Sequence, residues 1–246
     1  MCTLTYRLIE QGYELFFNRD EQKSRPQALQ PTKNSTLNAI YPIDPMGGGT
    51  WIAVHESGLS LALLNYYQAQ VEPTLHHFTS RGVIIPHLLA HHDDIQQQLM
   101  EMDLSVFQAF QLCVFHPTLS ASSRHTVLAT QYIWNGKKLT WSELSTIDSL
   151  PITSSAVDYE QVARHRKYLF NNMLTTTLGY TEDYIAYHQR QEKVGKRAVN
   201  MLREDAQTVS FTHIKIQQQA PFGQKINFNY IDYLAPSATH SVSLKL

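Results

Sequence analysis

The alternation of apolar and polar positions at the head of the chain predicts a β-hairpin. Cys2, Leu4, Tyr6 and Leu8 fall on one face of a strand and Thr3, Thr5 and Arg7 on the other. The chain turns near Gln11-Gly12 and returns over Glu14–Arg19, with Leu15, Phe17 and Arg19 on a common face. In the register that aligns these faces, the Arg19 guanidinium arrives beside the N-terminus. A second hairpin is predicted from Thr50–Val54 and Leu59–Tyr66, turning at Glu56-Ser57-Gly58. The period changes over Ser80–Met102: Ser80 is a cap, Pro86 starts or breaks a turn, and Asp93 caps a piece carrying Ile95, Leu99 and Met102 at helical spacing. Strands follow over Phe107–His116 and Arg124–Trp134. Asn135-Gly136 is a hairpin turn and Lys138–Trp141 the return. Tyr159–Leu174 is an amphipathic helix with Tyr159, Val162, Arg166, Leu169, Phe170 and Met173 near one stripe. Thr181–Gln189 reads as a second helix, and Arg197–Leu202, Gln207–Gln217 and Lys225–Tyr233 as three strands.

This order of strands, helices, strands, helices and strands suits two packed sheets with helices outside, in a single α+β domain over 1–246. Residues 20–45 stand apart. They are rich in Gln, Lys, Ser and Asn and contain Pro26, Pro31, Pro42 and Pro45, so they read as a long loop and a lid over a pocket. Gly47-Gly48-Gly49 reads as a close approach of backbone; with a strand after it and no Lys-Ser/Thr, it is not a phosphate loop.

Composition narrows the function classes. The 246 residues are 43% hydrophobic and 17% charged with a net charge of −1, which is ordinary core-forming material. No basic stripe points to nucleic acid. No apolar run approaches the roughly 18–20 residues of a membrane span, so no integral membrane segment is expected. Cys2 and Cys113 are the only cysteines, so a disulfide framework is not in view and a cytoplasmic location is expected. Cys113, between Leu112 and Val114, reads as a core thiol. His87 and His91 have the spacing to meet one metal, but the stretch lacks the zinc-protease Glu, and no metal or other cofactor is expected.

The chemistry centres on Cys2. Removal of Met1 leaves one residue with both a thiol and a free α-amine. A thiol is a weak nucleophile until its proton is taken, and an α-amine with a pKa of roughly 7.7–8.0 is a base near working pH. Arg19 beside it favours the thiolate. With Met1 retained, the amine belongs to the wrong residue and this mechanism is lost.

The run Phe16-Phe17-Asn18-Arg19-Asp20-Glu21 after a Cys at position 2 resembles the NRDE family, also called the transport and Golgi organisation protein family. Gly48-Gly49-Thr50-Trp51-Ile52-Ala53-Val54 is similar to its GGTW segment, Asn65 sits where the family has an apolar strand ending in Asn, and Met201–Ser210 resembles its C-terminal signature. The resemblance implies a likeness to N-terminal-nucleophile (Ntn) hydrolases of the choloylglycine hydrolase and penicillin V acylase type. Their fold is a four-layer αββα sandwich of two antiparallel sheets flanked by helices.

The function so implied is hydrolysis of a non-peptide amide in a small or lipid-like substrate, through an acyl-enzyme on Cys2. Arg19 and Asp20 position and polarise the site, backbone groups with Asn65 or Ser155 hold the oxyanion, and Arg203 is the C-terminal-half arginine near the nucleophile. Asn18, Glu21 and Trp51 are substrate-binding candidates. Arg19 and Asp20 must point to opposite faces if both stay in the strand, so either Asp20 lies in the turn or Glu21 takes the acidic role. The chain departs from the family at Pro151–Ala156: many relatives have Ser-Asn-Ser, and Ser155 stands where the Asn donates to the oxyanion. Loss of one such donor costs on the order of 10²–10³ in turnover. The alternative is a non-catalytic carrier of an apolar ligand such as haem or a fatty-acyl group, in keeping with the family's connection to haem movement and lipid homeostasis. Cys113 or His116 is the candidate haem ligand, and Cys-x-x-Cys-His for covalent attachment is absent.

Overall fold

The computed structural model describes residues 2–69, 77–91, 94–122, 129–145, 148–192, 195–218, 224–235 and 239–245. In chain order the strands are β1 (Cys2–Ile9), β2 (Gly12–Gln22), β3 (Leu29–Asn34), β4 (Ala39–Ile43), β5 (Ile52–His55), β6 (Ser60–Asn65), β7 (Phe110–Phe115), β8 (Ala129–Trp134), β9 (Leu139–Leu144), β10 (Ile152–Ser154), β11 (Ala206–Gln218), β12 (Gln224–Asp232) and β13 (Thr239–Lys245). The helices are α1 (Ile84–Ala90), α2 (Ile95–Glu101), α3 (Tyr159–Thr176) and α4 (Thr181–Gln189). The chain divides into two compact units: Met1–Pro26 with Thr118–Thr126 and Ser145–Leu246, and Gln27–Pro117 with Val127–Leu144.

The first unit is a six-stranded antiparallel sheet in the order β10-β1-β2-β11-β12-β13. The predicted hairpin register holds, pairing Cys2 with Arg19, Leu4 with Phe17 and Tyr6 with Leu15. Its turn needs Gly12, because a Cβ there would lie 2.0 Å from the Ile216 carbonyl oxygen at a φ of +147°. Helices α3 and α4 cover the face that carries Thr3, Thr5, Glu14, Phe16, Asn18 and Asp20. The Phe16 ring stacks on Tyr184 at 5.1 Å, and Phe170 meets Tyr184 edge-on at 5.7 Å. The opposite face, with Leu4, Tyr6, Leu15, Phe17, Ile214 and Phe228, is buried as well. Between β2 and β11 the register slips at a bulge: Arg19 pairs with Ser210 and Asp20 with Thr208, leaving Val209 as the extra residue.

The second unit is a seven-stranded antiparallel sheet in the order β3-β4-β5-β6-β7-β8-β9. Ile84, Ile85, Leu88 and Leu89 of α1 and Ile95 and Leu99 of α2 pack with Leu61, Leu63, Phe110, Leu112 and Trp134 of the sheet. The close approach expected at the glycine run is present. A Cβ on Gly49 would sit 2.1 Å from the Gly82 carbonyl carbon, and the Thr50 N–H donates to the Gly82 oxygen at 2.9 Å.

The structure corrects several expectations. Residues 20–45 are not a long loop: β2 runs on to Gln22, and Leu29–Asn34 and Ala39–Ile43 form the edge of the second sheet. An edge strand tolerates polar, exposed positions and proline, and the register slips between Leu29 and Thr32, where Pro31 falls. Arg197–Leu202 is not a strand. After a 3₁₀ turn at Gly195–Arg197, the carbonyls of Arg197, Ala198 and Val199 accept from the side chains of Arg166 and Asn18, which takes their acceptors away from a sheet partner. Pro86 sits within the first turn of α1. Asp93 lies outside the described residues, and α2 is capped by Asp94, whose Oδ1 accepts from Gln97 N–H at 2.9 Å. The strand expected from Phe107 begins at Phe110, after a 3₁₀ turn at Leu104–Val106. The part of the expected Arg124–Trp134 strand before Ala129 lies largely outside the described residues.

Candidate active site

Cys2 heads β1, flanked in register by Ser154 on β10 and Arg19 on β2. The row continues through Ser210 on β11 to Asp232 on β12. All five share one face of the sheet, so a polar line crosses a surface that also carries Leu4, Phe17, Ile214 and Phe228. Ser154, Arg19, Ser210 and Asp232 are buried and Cys2 is half-buried. Tyr230 adjoins the line. Burial pushes its hydroxyl up to about 12, with the nearby Ser210 hydroxyl and the Arg19 charge opposing and the Asp232 charge adding to the rise. Arg19 donates to Glu21 Oε2 at 3.2 Å, and Arg25 lies 3.7 Å from the same oxygen.

Burial also pushes the Cys2 thiol up, and the Asp20 charge adds to this. A hydrogen bond with the Asp20 main chain and the Arg19 guanidinium act in the other direction without reversing it. The thiol is therefore protonated at neutral pH, and attack by sulfur requires a base. Met1 lies outside the described residues.

Asp20 stays in β2 and points away from this line. Its Oδ1 accepts from the Thr208 hydroxyl at 2.6 Å and its Oδ2 from Arg166 at 3.3 Å, with both ionic side chains fully buried. The alternatives left by the sequence separate in space: Glu21 is the carboxylate on Arg19, and Asp20 the one on Arg166. Arg166 comes from the apolar stripe of α3 and lies among Val162, Leu169 and Phe170. It donates to Thr3 Oγ1 at 2.5 Å, Ala198 O at 2.8 Å, Cys2 O at 3.4 Å and Arg197 O at 3.5 Å. Sequence reasoning placed Arg166 on the buried stripe without a role. A cation in an apolar helix stripe was the available signal, since a charge is rarely buried unless paired. Ser210 and Asp232 gave no such signal, because their alignment with Cys2 depends on the bulge.

The remaining candidates fall as follows. Asn18 faces the helices, donating to His188 O at 2.7 Å and Val199 O at 2.9 Å. Its Oδ1 is thereby the partner of His188 Nδ1 at 3.2 Å, so that nitrogen carries the proton and Nε2 accepts from the Thr5 hydroxyl at 2.8 Å. Burial holds His188 well below the usual imidazole range, and it is neutral. Ser155 follows β10 directly, beside Ser154. Its hydroxyl donates to Val157 O at 2.6 Å. Arg203 donates to Asp205 at 2.8 Å through Nε, in the turn before β11. Asn65 and Trp51 belong to the second unit. Asn65 alternates with Leu61 and Leu63 and donates to Tyr67 Oη at 2.7 Å; Trp51 is buried and its carbonyl accepts from Leu63 N–H at 2.8 Å. Cys113 is buried, and burial pushes its thiol far up. His87 and His91 have ring centroids 5.6 Å apart, and no group of three or more metal-binding side chains occurs among the described residues.

Two antiparallel sheets with few helices, a cysteine heading the first strand, give the αββα sandwich fold that N-terminal-nucleophile hydrolases share. The solved structures agree. The C2A mutant of a conjugated bile acid hydrolase from Clostridium perfringens is similar to this chain at a TM-score of 0.55 and 8% identity, over 100% of this chain and 92% of that one. A Caenorhabditis elegans N-acylethanolamine-hydrolyzing acid amidase ortholog matches at a TM-score of 0.53 and 9% identity, over 87% of this chain and 92% of that one. Residues 1–235 match the family described as Transport and Golgi organisation 2, and the chain belongs to that family. Against curated protein sequences there is no match. No described helix is long and apolar enough to cross a membrane.

Proposed function

We propose that the chain is an N-terminal-cysteine hydrolase acting on a non-peptide amide bond of a small or lipid-like substrate. The observation that carries this reading is the pairing of Cys2 with Arg19 at the head of β1, with a thiol that burial keeps protonated. Such a thiol needs a base within reach, and after loss of Met1 the α-amine of Cys2 itself is that base. The amine takes the thiol proton as sulfur adds to the amide carbon. The protonated amine then gives that proton to the leaving nitrogen as the C–N bond breaks, leaving a thioester. Water, deprotonated by the same amine, hydrolyses the thioester and restores the thiol. Arg19 sets the electrostatics beside sulfur, and Asp20 fixes the strand from behind. Ser155 donates to the oxyanion, exchanging its Val157 carbonyl for that role. The substrate class follows the solved neighbours, named for hydrolysis of conjugated bile acids and of N-acylethanolamines.

The test is intact mass of the chain from its native host, followed by incubation with amide and N-acyl substrates under acid quench. A mass without Met1 and a thioester adduct on Cys2 are expected. A retained Met1, or no adduct across N-acyl amides, overturns the reading.

A second reading has its own observation. A cleft of about 560 Å³ in the second unit is lined by Leu59, Ile95, His116, Tyr132 and Trp141, among others. Burial pushes the His116 imidazole down, so it is neutral and has a lone pair for iron, whereas the Cys113 thiol is held protonated. A non-catalytic carrier of haem or a fatty-acyl group would use this cleft. Haem titration of wild type and His116→Ala separates the cases: saturable binding lost in the variant supports the carrier, and no saturable binding removes its haem form.

A further inference from the structure

We propose that Arg166 is a positioning residue for Cys2, holding from behind the main chain that carries the nucleophile. This rests on the reading of Cys2 as the reacting residue. An N-terminal nucleophile has no preceding residue to fix it. Its position depends on its own carbonyl, its strand pairing and the residue after it. Arg166 reaches the Cys2 carbonyl at 3.4 Å and the Thr3 hydroxyl at 2.5 Å. It also pairs with Asp20 at 3.3 Å, the residue after Arg19, which is the register partner of Cys2. One guanidinium thus ties the head of β1 to the end of β2 on the face opposite the sulfur. Its remaining bonds, to Ala198 O and Arg197 O, anchor that tie to the irregular segment before β11.

Folding alone does not favour this arrangement. Buried ion pairs are often matched or exceeded in stability by apolar residues of similar volume, and the neighbours Val162, Leu169 and Phe170 would suit a Met or Leu at 166. What an apolar residue cannot supply is a rigid fork with donors for an aligned carboxylate, hydroxyl and carbonyl at once. Without Arg166 the Asp20 charge loses a buried cation at 3.3 Å. Asp20 already raises the Cys2 thiol, so its effect grows and the thiol becomes harder to ionise.

The experiment is alkylation of the full chain by iodoacetamide from pH 6 to 10, with site-resolved mass spectrometry, for wild type, Arg166→Lys, Arg166→Met and Arg166→Met/Asp20→Asn. Buried Cys113 is the internal control, since it labels only in unfolded molecules. In folded Arg166→Met, the Cys2 rate at neutral pH is expected to fall about tenfold and its pH midpoint to rise. Arg166→Lys falls between, and adding Asp20→Asn brings the midpoint back down. Superimposable Cys2 profiles for wild type and both single variants, with Cys113 protected, would leave Arg166 a merely structural residue and overturn the proposal. If Arg166→Met labels Cys113, the Arg166→Lys comparison decides alone. The ratio of variant to wild type reads Arg166 whatever the absolute rate. The thioester test above reads the hydrolase assignment separately, so the two fail distinguishably.

Discussion

The two faces of β2 make opposite uses of adjacent residues. On one, Arg19 joins Cys2, Ser154, Ser210 and Asp232 in a polar line across the sheet. On the other, Asp20 closes a network with Arg166, Thr208 and Thr3 beneath the helices, and Asn18 and His188 extend it. The helix-side groups have named partners at hydrogen-bond distance and fix geometry. The Cys2 side has a half-buried sulfur whose proton must go somewhere. The difference teaches that the groups that fix geometry and the sulfur they carry lie on opposite faces of adjacent residues, so a change on the helix side reaches Cys2 only through the main chain and the Asp20 charge.

The strongest way to break this division is to remove one member of the buried pair. Arg166→Met or Asp20→Ala alone should lower stability by about 3–5 kcal/mol in chemical denaturation, because each takes the oppositely charged partner from a buried ion. The double change should cost clearly less than the two losses added together. An additive double mutant would mean the two residues do not act as a unit.

Glu14 gives the next largest effect. It is buried on the helix side with Thr181 donating at 2.8 Å, Arg7 at 3.0 Å, and Lys215 at 3.3 Å. Although burial opposes it, His213 3.5 Å away, the Thr181 hydrogen bond and the Lys215 charge hold its carboxyl down at about 2 against an ordinary 4.5. A depressed carboxylate stabilises the fold fully above its unfolded value, and that stabilisation is lost as pH falls from 4.5 through about 2. Glu14→Gln should therefore flatten the acid limb of stability against pH in that window, with a loss on the order of 2 kcal/mol at neutral pH. Equal acid limbs for variant and wild type would remove Glu14 from the network.

On the Cys2 side, Ser155→Asn tests the oxyanion reading. A longer donor should raise thioester formation on a substrate that labels Cys2 by about tenfold, below the full 10²–10³ because the loop is already shaped around Ser155. A slower variant would place the oxyanion donors elsewhere. The smallest effect is expected from Arg203→Ala, since its partner Asp205 is largely exposed: the denaturation midpoint should not move measurably. A clear shift would give Arg203 a larger part in the fold than its local ion pair does.

Legibility from sequence followed locality. The β1–β2 hairpin was readable because its alternation and turn lie within the first twenty-odd residues, and that register alone brings Arg19 to Cys2. Helices α3 and α4 were readable from their periodicity and the acidic first turn of α4. β3 and β4 were not, because a polar, proline-bearing edge strand looks like a loop. The segment Arg197–Leu202 looked like a strand, but its carbonyls answer to side chains more than thirty residues away for Arg166 and far more for Asn18. The sequence placed the apposition of Arg19 and Asp20 correctly as a conflict of faces; which carboxylate took which cation was a matter of tertiary partners that no spacing encodes.

The slip at Val209 has a consequence of its own. Strand residues repeat with a phase of two, so Thr208 and Ser210 ought to project from the same side. The additional residue resets that phase, sending Thr208 to the carboxylate of Asp20 while Ser210 stays in line with Cys2. A strand running regular through Val209 would turn the hydroxyl now serving Asp20 to the Cys2 side, whereas loss of the Val209 codon would leave Thr208 and Ser210 adjacent, projecting to opposite sides, and keep both hydroxyls where they are.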